Sequence, residues 1–406
     1  MSLTAIPTQV RRIATEAEAL AAARDMAAWL ATEASARDKE RRIPYGELDS
    51  LASSGLLAIT VPRDAGGTGV SHATLAEVFR LLAAADPAVT QLVQSHFVFL
   101  EALREDGSPA QQRFFHGEVL AGARLGNAQA ERGSASALDL ATRLRRTGPD
   151  ANRLDGVKHY CTGAALAHWI PVAAIDDDGR LVTAFVRHDD AGVEVETDWN
   201  AMGQRSTYSG TTRLDRVAVP DFHVVPHWKL FERPSNFHAF GQLLHAAIDL
   251  GIARAALDDG AELVRKRSRP RLGAPAGTPA RDPLILYRFG RFSARYHAAE
   301  ALLQRAARLL DTSAPQPTDD NTAEAAIAVA EAKAFIEDVV VEIAGDIFAL
   351  IGTASTDEDL NLNRHWRNAR THTVHDANDW KYHAVGNRLV NGEAPAKPVR
   401  RAVPAS

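Results

Sequence analysis

Two changes of hydrophobic period divide this chain. From about residue 15 to 122 apolar side chains recur at helical spacing: Leu20, Ala23, Ala27 and Leu30 stand in an Ala-rich stretch, and similar repeats follow at 75–85 and 91–103. The one break, "ITVPRDAGGTGVS", sets Pro62 beside Gly66, Gly67 and Gly69, which predicts a rigid loop leading into a helix. Between about 123 and 230 the period becomes two. "LVTAFVR" reads as a buried strand, "AGVEVET" puts Val193 and Val195 on one face, and "TTRLDRVAVP" supplies a further strand. Helices return after about 236. A long one is opened by "DDNTAEAA", with Thr322 as its N-cap and Gly352 as a left-handed C-cap. A helix of that length needs neighbours all along it, so a four-helix bundle is expected. The pattern predicts a mainly α fold with a central antiparallel β domain: an N-terminal all-helical domain over 1–122, a middle β domain over 123–234, and a C-terminal four-helix bundle and tail over 235–406.

Charge and cysteine content narrow the partners. The chain of 406 residues carries a formal net charge of -5, which argues against general affinity for nucleic acid or anionic membranes. Cys161 is the single cysteine, so there is no internal disulfide framework and no Cys-built zinc site, as suits a reducing cytoplasm. No stretch reaches the length of a membrane span, and the first residues lack the apolar core of an export signal, so a cytoplasmic protein is expected. The "GGTG" run lacks a full dinucleotide fingerprint, because Val70, Ser71 and His72 follow Gly69 and no βαβ unit surrounds it. A tight turn before a helix is the better reading. "SRPRLGAPAGTPARDP" (268–283) and the tail "GEAPAKPVRRAVPAS" are rich in Pro and Gly, and the first is expected to act as a lid ordered by ligand.

The chemistry concentrates near the end of the chain. "RTHTVHDANDWKYH" (370–383) packs His372, His375 and His383 into a helix-like segment. Imidazoles there can move protons, bind a metal or fill a core. Two rings three residues apart, with Asp376 or His383 as further ligands, make a metal site conceivable, but no metalloprotease or diiron pattern accompanies them, and no metal is expected. His383 and Tyr382 read as packing and hydrogen-bonding residues. In the β region, "GVKHYCTGAALAHWI" places Thr162 and Gly163 where a hydroxyl and a backbone N–H can face the edge of a flat heterocycle such as flavin. A strand ending in a turn explains the same residues.

"PRDAGGTG", "GNAQAERGSAS", "DGVKHYCTGAALAHW" and "MGQRSTYSGTTRLDRVAVP", followed by the helical C-terminal third, resemble the acyl-CoA dehydrogenase superfamily in order and spacing over nearly the whole chain. That resemblance implies a tetramer with flavin held between the β domain and the helical bundles. The dehydrogenases carry a catalytic glutamate in a Tyr-Glu-Gly-Thr-like turn where this chain has "THTVHDAND", with only Asp376 near the place. "NARTHTVHDANDWKYHAVGN" is instead similar to the flavin-dependent monooxygenase branch, above all the dibenzothiophene monooxygenase-like and sulfur-acquisition oxidoreductases. By resemblance, His96, Asn127, Thr162, His372 and His375 line the flavin and oxygen pocket, and Trp199 and Arg205 flank the ring system. The activity implied is oxygenation of a small organosulfur compound by O₂ and reduced FMN through a C4a-hydroperoxide. A separate NAD(P)H-dependent reductase would supply the flavin, since no nicotinamide motif is present. "GDIFALIGTASTDED" lacks the paired glycines that help hold FAD in the dehydrogenases, so FMN is expected, with Arg267 and Arg269 as phosphate partners. An FAD-dependent acyl-CoA dehydrogenase and a flavin-fold scaffold without activity remain alternatives.

Overall fold

Short polar residues start the long helices. Thr15 caps α1 (Glu16–Ala31), which is followed by α2 (Ala34–Glu40) and α3 (Tyr45–Ser53). Ser71 caps α4 (His72–Ala85), and Asp86 caps α5 (Pro87–Leu92), accepting from the amides of Ala88 and Val89 at 3.1 Å. α6 (Gln94–Asp106) and α7 (Pro109–Leu120, with a Ser108–Gln111 capping box) complete the N-terminal helices. The structure, a computed structural model, describes residues 6–7, 9–133, 139–266, 269–270 and 277–395. Arg267, and residues 268 and 271–276 of the expected lid, lie outside the described residues.

A sheet ordered β5-β6-β2-β1-β3-β4-β7 follows. Its strands are β1 (Arg143–Gly148), β2 (Ala151–Cys161), β3 (Trp169–Ile175), β4 (Leu181–Arg187), β5 (Val193–Val195), β6 (Gly210–Val219) and β7 (Val224–Val225). The sheet is mixed rather than wholly antiparallel, because β3 pairs parallel to β1. β2 returns beside β1, and residues 162–168 then carry the chain across so that β3 joins the other side of β1 in the same direction. Residues 125–128 extend the parallel pairing through bridges to Trp169 and Val172.

The last helices are α8 (Phe237–Lys266), α9 (Pro283–Ser313), α10 (Asp319–Ile351), α11 (Asn363–Thr373) and α12 (Asn378–Asn391). α10 starts earlier than the sequence reading placed it. Thr318, not Thr322, is the N-cap, in a capping box with Asn321, while the Thr322 hydroxyl donates back to the Thr318 carbonyl at 2.6 Å. Asp319 and Asp320 favour that start through the helix dipole. Gly352 ends α10 with φ of +83° and ψ of -164°, a conformation open to glycine but outside the left-handed helical region expected. The histidine segment is also not one helix: α11 stops at Thr373, residues 374–377 turn, and α12 begins at Asn378.

Helices from both ends of the chain share one hydrophobic core, with Leu75, Phe79 and Leu82 of α4 packed among Leu244 and Ile248 of α8, Leu303 of α9 and Ile336 and Val340 of α10. The β layer has its own core around Leu154, Ile170, Val172, Val182 and Val217. α4 and α8 cross closely at Gly251, where an added Cβ would stand 2.7 Å from both the Ala83 Cβ and the Arg80 carbonyl oxygen. No helix among the described residues is long and apolar enough to cross a membrane.

Several histidines pin this framework in neutral form. His96 is 1% exposed; its Nε2–H donates to the Leu57 carbonyl at 2.8 Å and its Nδ1 accepts from the Leu125 amide at 3.1 Å. Burial pushes it down to about 4, and does the same to His227 and His365. In the unfolded chain these rings titrate near about 6.5. Between the two values the unfolded chain binds protons that the folded chain does not, so stability is complete above that range and is lost as pH falls through it. Thermal melts should therefore give a midpoint that is flat above neutrality and declines from about pH 6.5 towards 4; a flat midpoint across that window would contradict neutral burial. At the helix crossing, Gly251→Ala should lower stability by about 1–3 kcal/mol in denaturant titration through overpacking. Gly241→Ala in the same helix, where the nearest atom to the new methyl is 3.6 Å away, should be neutral or stabilising by up to about 1 kcal/mol.

Candidate active site

Three pieces of the β layer form one wall of the site. The first is the segment at 125–131, which carries Asn127. Glu131 anchors it, accepting from Lys158 Nζ at 2.7 Å and from the Thr142 hydroxyl at 2.6 Å. Burial works to raise the Glu131 carboxyl, and these bonds override it, holding the group at about 2. Asn127 itself is half-buried, and no described residue hydrogen-bonds its amide. The second piece is the turn after β2. Gly163 has φ of +75° and sits so close to α5 that a Cβ would meet the Leu92 carbonyl oxygen at 2.8 Å, so only glycine fits. The buried hydroxyls of Thr162, Ser209 and Thr207 run in series at 2.8 and 2.9 Å, and Thr207 donates to the Gln204 carbonyl.

The third piece is the loop before β6. Trp199 is half-buried and donates its indole N–H to the Gln204 carbonyl at 2.9 Å, and the Arg205 Nε donates to the Met202 carbonyl at 3.1 Å. The loop docks on α11, where the Gln204 amide donates to Asn368 Oδ1 at 2.6 Å. The Gln204 side chain is 97% buried, yet neither of its amide atoms has a hydrogen-bond partner among the described residues, and the same holds for the Thr371 and Thr373 hydroxyls on α11. Unpaired buried polar atoms call for an outside partner. This mixture of donors and acceptors, beside the Thr162 hydroxyl and Gly163, suits the polar edge of a flavin ring.

Facing that wall is a histidine cluster. His372, on the buried face of α11, donates from Nδ1 to Asp249 Oδ1 at 2.7 Å. Its Nε2 lies 3.0 Å from His245 Nδ1 and 3.1 Å from Gln91 Oε1. With Nδ1–H held by the carboxylate, Nε2 faces both His245 Nδ1 and Gln91 Oε1, and one hydrogen is shared between the two rings, its donor set by the tautomer. The His375 ring, in the turn after α11, lies 4.3 Å from that of His245. His375 is exposed to solvent on one side and packs its ring against His245 on the other. Desolvation first, and then the charges of His372, Lys333 and Lys381, push it down to about 4. His245 lies well below its ordinary value from burial and from the other two rings.

His372, His375, Asn127, Thr162 and Gly163 thus stand on two walls joined through Gln204, Asn368 and Gln91. His96 stands apart in role: both its ring nitrogens are taken by backbone, so it has no free proton donor. Arg205 faces Asp38, Arg41 and Arg367, and desolvation with the two arginines lowers its guanidinium. Arg269 lies exposed at a separate recess lined by Thr278, Asp282, Ile285 and Leu350, away from both walls. His383 is exposed and packs on Trp380, and Tyr382 donates to Asp338. Asp376, the carboxylate that the sequence analysis weighed as a base, is ion-paired with Lys381. Burial raises that carboxyl and the lysine more than reverses it, so the group is held below its ordinary range and is a weak base. The sequence reading missed His245, Asp249 and Gln91. The His245-x-x-x-Asp249 pair interrupts the apolar run of α8 at helical spacing, the one signal that could have drawn attention to it.

The description "Acyl-CoA dehydrogenase, N-terminal domain" matches residues 14–123, and "Acyl-CoA dehydrogenase, C-terminal domain" matches residues 243–380. The chain is 32% identical over 401 residues to the dibenzothiophene monooxygenase of Rhodococcus erythropolis, covering 95% of this chain and 96% of that protein. It is 31% identical to the probable FMNH2-dependent monooxygenase SfnC of Pseudomonas putida, covering 93% and 96%. The crystal structure of FMN-bound TdsC from Paenibacillus sp. A11-2 superposes with a TM-score of 0.90 at 29% identity, covering 93% of this chain and 98% of that one. A fold shared over nearly the whole chain agrees with these likenesses: the chain belongs to the acyl-CoA dehydrogenase superfamily, in the flavin-dependent monooxygenase branch with dibenzothiophene monooxygenase.

Proposed function

We propose that this protein is the oxygenating half of a two-component system, taking reduced FMN from a separate NAD(P)H:flavin reductase and using O₂ to oxygenate a small organosulfur compound. The observation that carries the reading is the His245–His372–His375 cluster, with Asp376 tied to Lys381. Asp376, held by Lys381 and lowered, is a weak base, while the imidazoles of the cluster are able to donate or relay a proton. The names of the relatives support it: one acts on dibenzothiophene, one is described as FMNH2-dependent, and one structure holds FMN. FMN is therefore preferred to FAD. Assembly as a homotetramer in the cytoplasm belongs to the same reading.

Reduced FMN, when bound, supplies the electrons that activate O₂, by way of a C4a-hydroperoxide. The protein's part is to bind, to exclude water and to handle protons. Asn127, Thr162, Gly163 and Gln204 would hold the ring edge, with Trp199 beside it. Asp249 fixes the tautomer of His372, so that its Nε2 and His245 Nδ1 share a hydrogen along one line. His375, exposed and packed beside His245, would donate or relay a proton as a positioned imidazole.

Anaerobic titration should show reduced FMN binding more tightly than oxidised FMN, with oxygenation of organosulfur compounds requiring an added reductase. Steady turnover of an acyl-CoA with an electron acceptor and no reductase would support the dehydrogenase instead. His375→Ala should keep the fold, and His372→Ala should fold with lower stability because Asp249 loses its donor; both should divert reduced flavin to H₂O₂, cutting product formation by about 10²-fold. Wild-type product-to-peroxide ratios in both variants would remove the histidines from the mechanism.

A further inference from the structure

Four side chains with unsatisfied polar atoms meet at one recess. It lies between α10, α11 and the start of α12, opens to solvent and holds about 320 Å³. Glu337, Glu342, Thr373 and Asn378 line it. Both carboxylate oxygens of Glu337, Oε2 of Glu342, the Thr373 hydroxyl and Asn378 Oδ1 have no hydrogen-bond partner among the described residues. Glu337 and Thr373 are only 3% and 7% exposed. Folded proteins leave few such atoms, and four side chains of this kind at one opening point to an outside partner. The place is separate from the β wall. Thr371 stands at that wall, its hydroxyl 2.7 Å from the Cβ that Gly203 lacks. Thr373, two residues and about 200° further round α11, borders α10 instead.

The unsatisfied atoms define what that partner carries. Except for the Thr373 hydroxyl they are acceptors only, so the partner brings several hydrogens to donate. A metal ion does not fit, because no group of three or more His, Cys, Asp or Glu side chains among the described residues is placed to hold one. A primary ammonium fits, with three donors for Glu337, Thr373 and Asn378. Arg370 borders the same recess and supplies the opposite chemistry, since its guanidinium makes no hydrogen bond or ion pair among the described residues. Such a fork suits a carboxylate. The charges around the recess nearly balance. Lys333 offsets Glu337 and Arg295 offsets Glu342, each at 2.5 Å but without the angle of a hydrogen bond. Arg370 offsets Asp338, which also lines the recess. A near-neutral recess favours a molecule bearing both signs over a simple cation.

We propose that this recess binds a small amino acid, its ammonium on Glu337, Thr373 and Asn378 and its carboxylate on Arg370, with Val341 as an apolar contact for the side chain. The site has a consequence for the candidate active site through the chain itself. Thr373 ends α11 and Asn378 begins α12, so the ligand spans the turn at 374–377 that carries His375. Occupancy ties the two ends of that turn together and fixes where the His375 ring stands. The bound amino acid is thus an effector, and its binding does not depend on the monooxygenase reading.

Calorimetric titration of the flavin-free full chain tests this, with L-alanine, L-valine and L-methionine as probes and n-butylamine and butyrate as the two halves of such a molecule. At least one of the amino acids should bind with a Kd below about 1 mM, and each half at least about 10-fold more weakly. Arg370→Gln and Thr373→Val should each weaken that binding by at least about 10-fold. Arg370 makes no bond within the protein, so its variant should fold and decides the matter if Thr373→Val does not. In NMR spectra the bound amino acid should shift the His375 ring signals, and Arg370→Gln should remove the shift at the same ligand concentration. No saturable binding of any of the three, equal affinity for n-butylamine, or an affinity unchanged in Arg370→Gln would overturn the proposal. Saturation that leaves the His375 signals unmoved would do the same.

Discussion

The hydrogen bond from His372 to Asp249 organises the candidate site. Asp249 is wholly buried in α8, and a carboxylate there must find a donor. By taking Nδ1–H of His372 it fixes that ring, turns Nε2 towards His245 and Gln91, and sets α11 against α8. A second contact of the same kind, His365 to Asp259 at 2.7 Å, holds the other end of α11. Burial opposes ionisation of Asp259, but its bonds to His365 and Arg364 keep the carboxyl at about 2. With both ends of α11 tied down, the chain must turn at residues 374–377, and that turn delivers His375 beside His245.

Once α11 is fixed, the β layer has something to dock on. Gly203 lies so close to α11 that a side chain would strike the Arg367 carbonyl, its would-be Cβ only 2.0 Å from that oxygen. The next residue bonds Asn368 through its amide. Asp38 of α2 accepts from Arg367 and from Asn361, and Arg37 beside it pairs with Asp86 at the cap of α5. These buried polar contacts bring the Thr162 hydroxyl series and the histidine cluster to the same place from three parts of the chain. Each is costly alone and tolerable only as part of a satisfied set. The unpaired amide of Gln204 and the unpaired hydroxyls of Thr371 and Thr373 mark where that set is incomplete within the protein.

Much of this was legible in the amino-acid order, because period and punctuation are local. The helical and alternating stretches, the glycine at 163 and the paired histidines at 372 and 375 all announce themselves within a few residues. Three things did not. The parallel pairing of β1 with β3 depends on where a connection crosses, which alternation does not encode. His96 shares a residue type with the cluster, yet its two backbone partners, Leu57 and Leu125, lie far from it in sequence. His245 and Asp249 are single polar interruptions in the apolar run of α8, and only the packing of α8 against α11 brings them to His372.

The central claim is that this site moves one oxygen atom from O₂ to a small sulfur compound. Mass spectrometry of the product formed under ¹⁸O₂, with reduced FMN regenerated by a reductase, tests it most directly. The account predicts one ¹⁸O atom in each new sulfur–oxygen bond and none from H₂¹⁸O in the reciprocal experiment. Product labelled from water, or no oxygenated product while an acyl-CoA is desaturated, would contradict it.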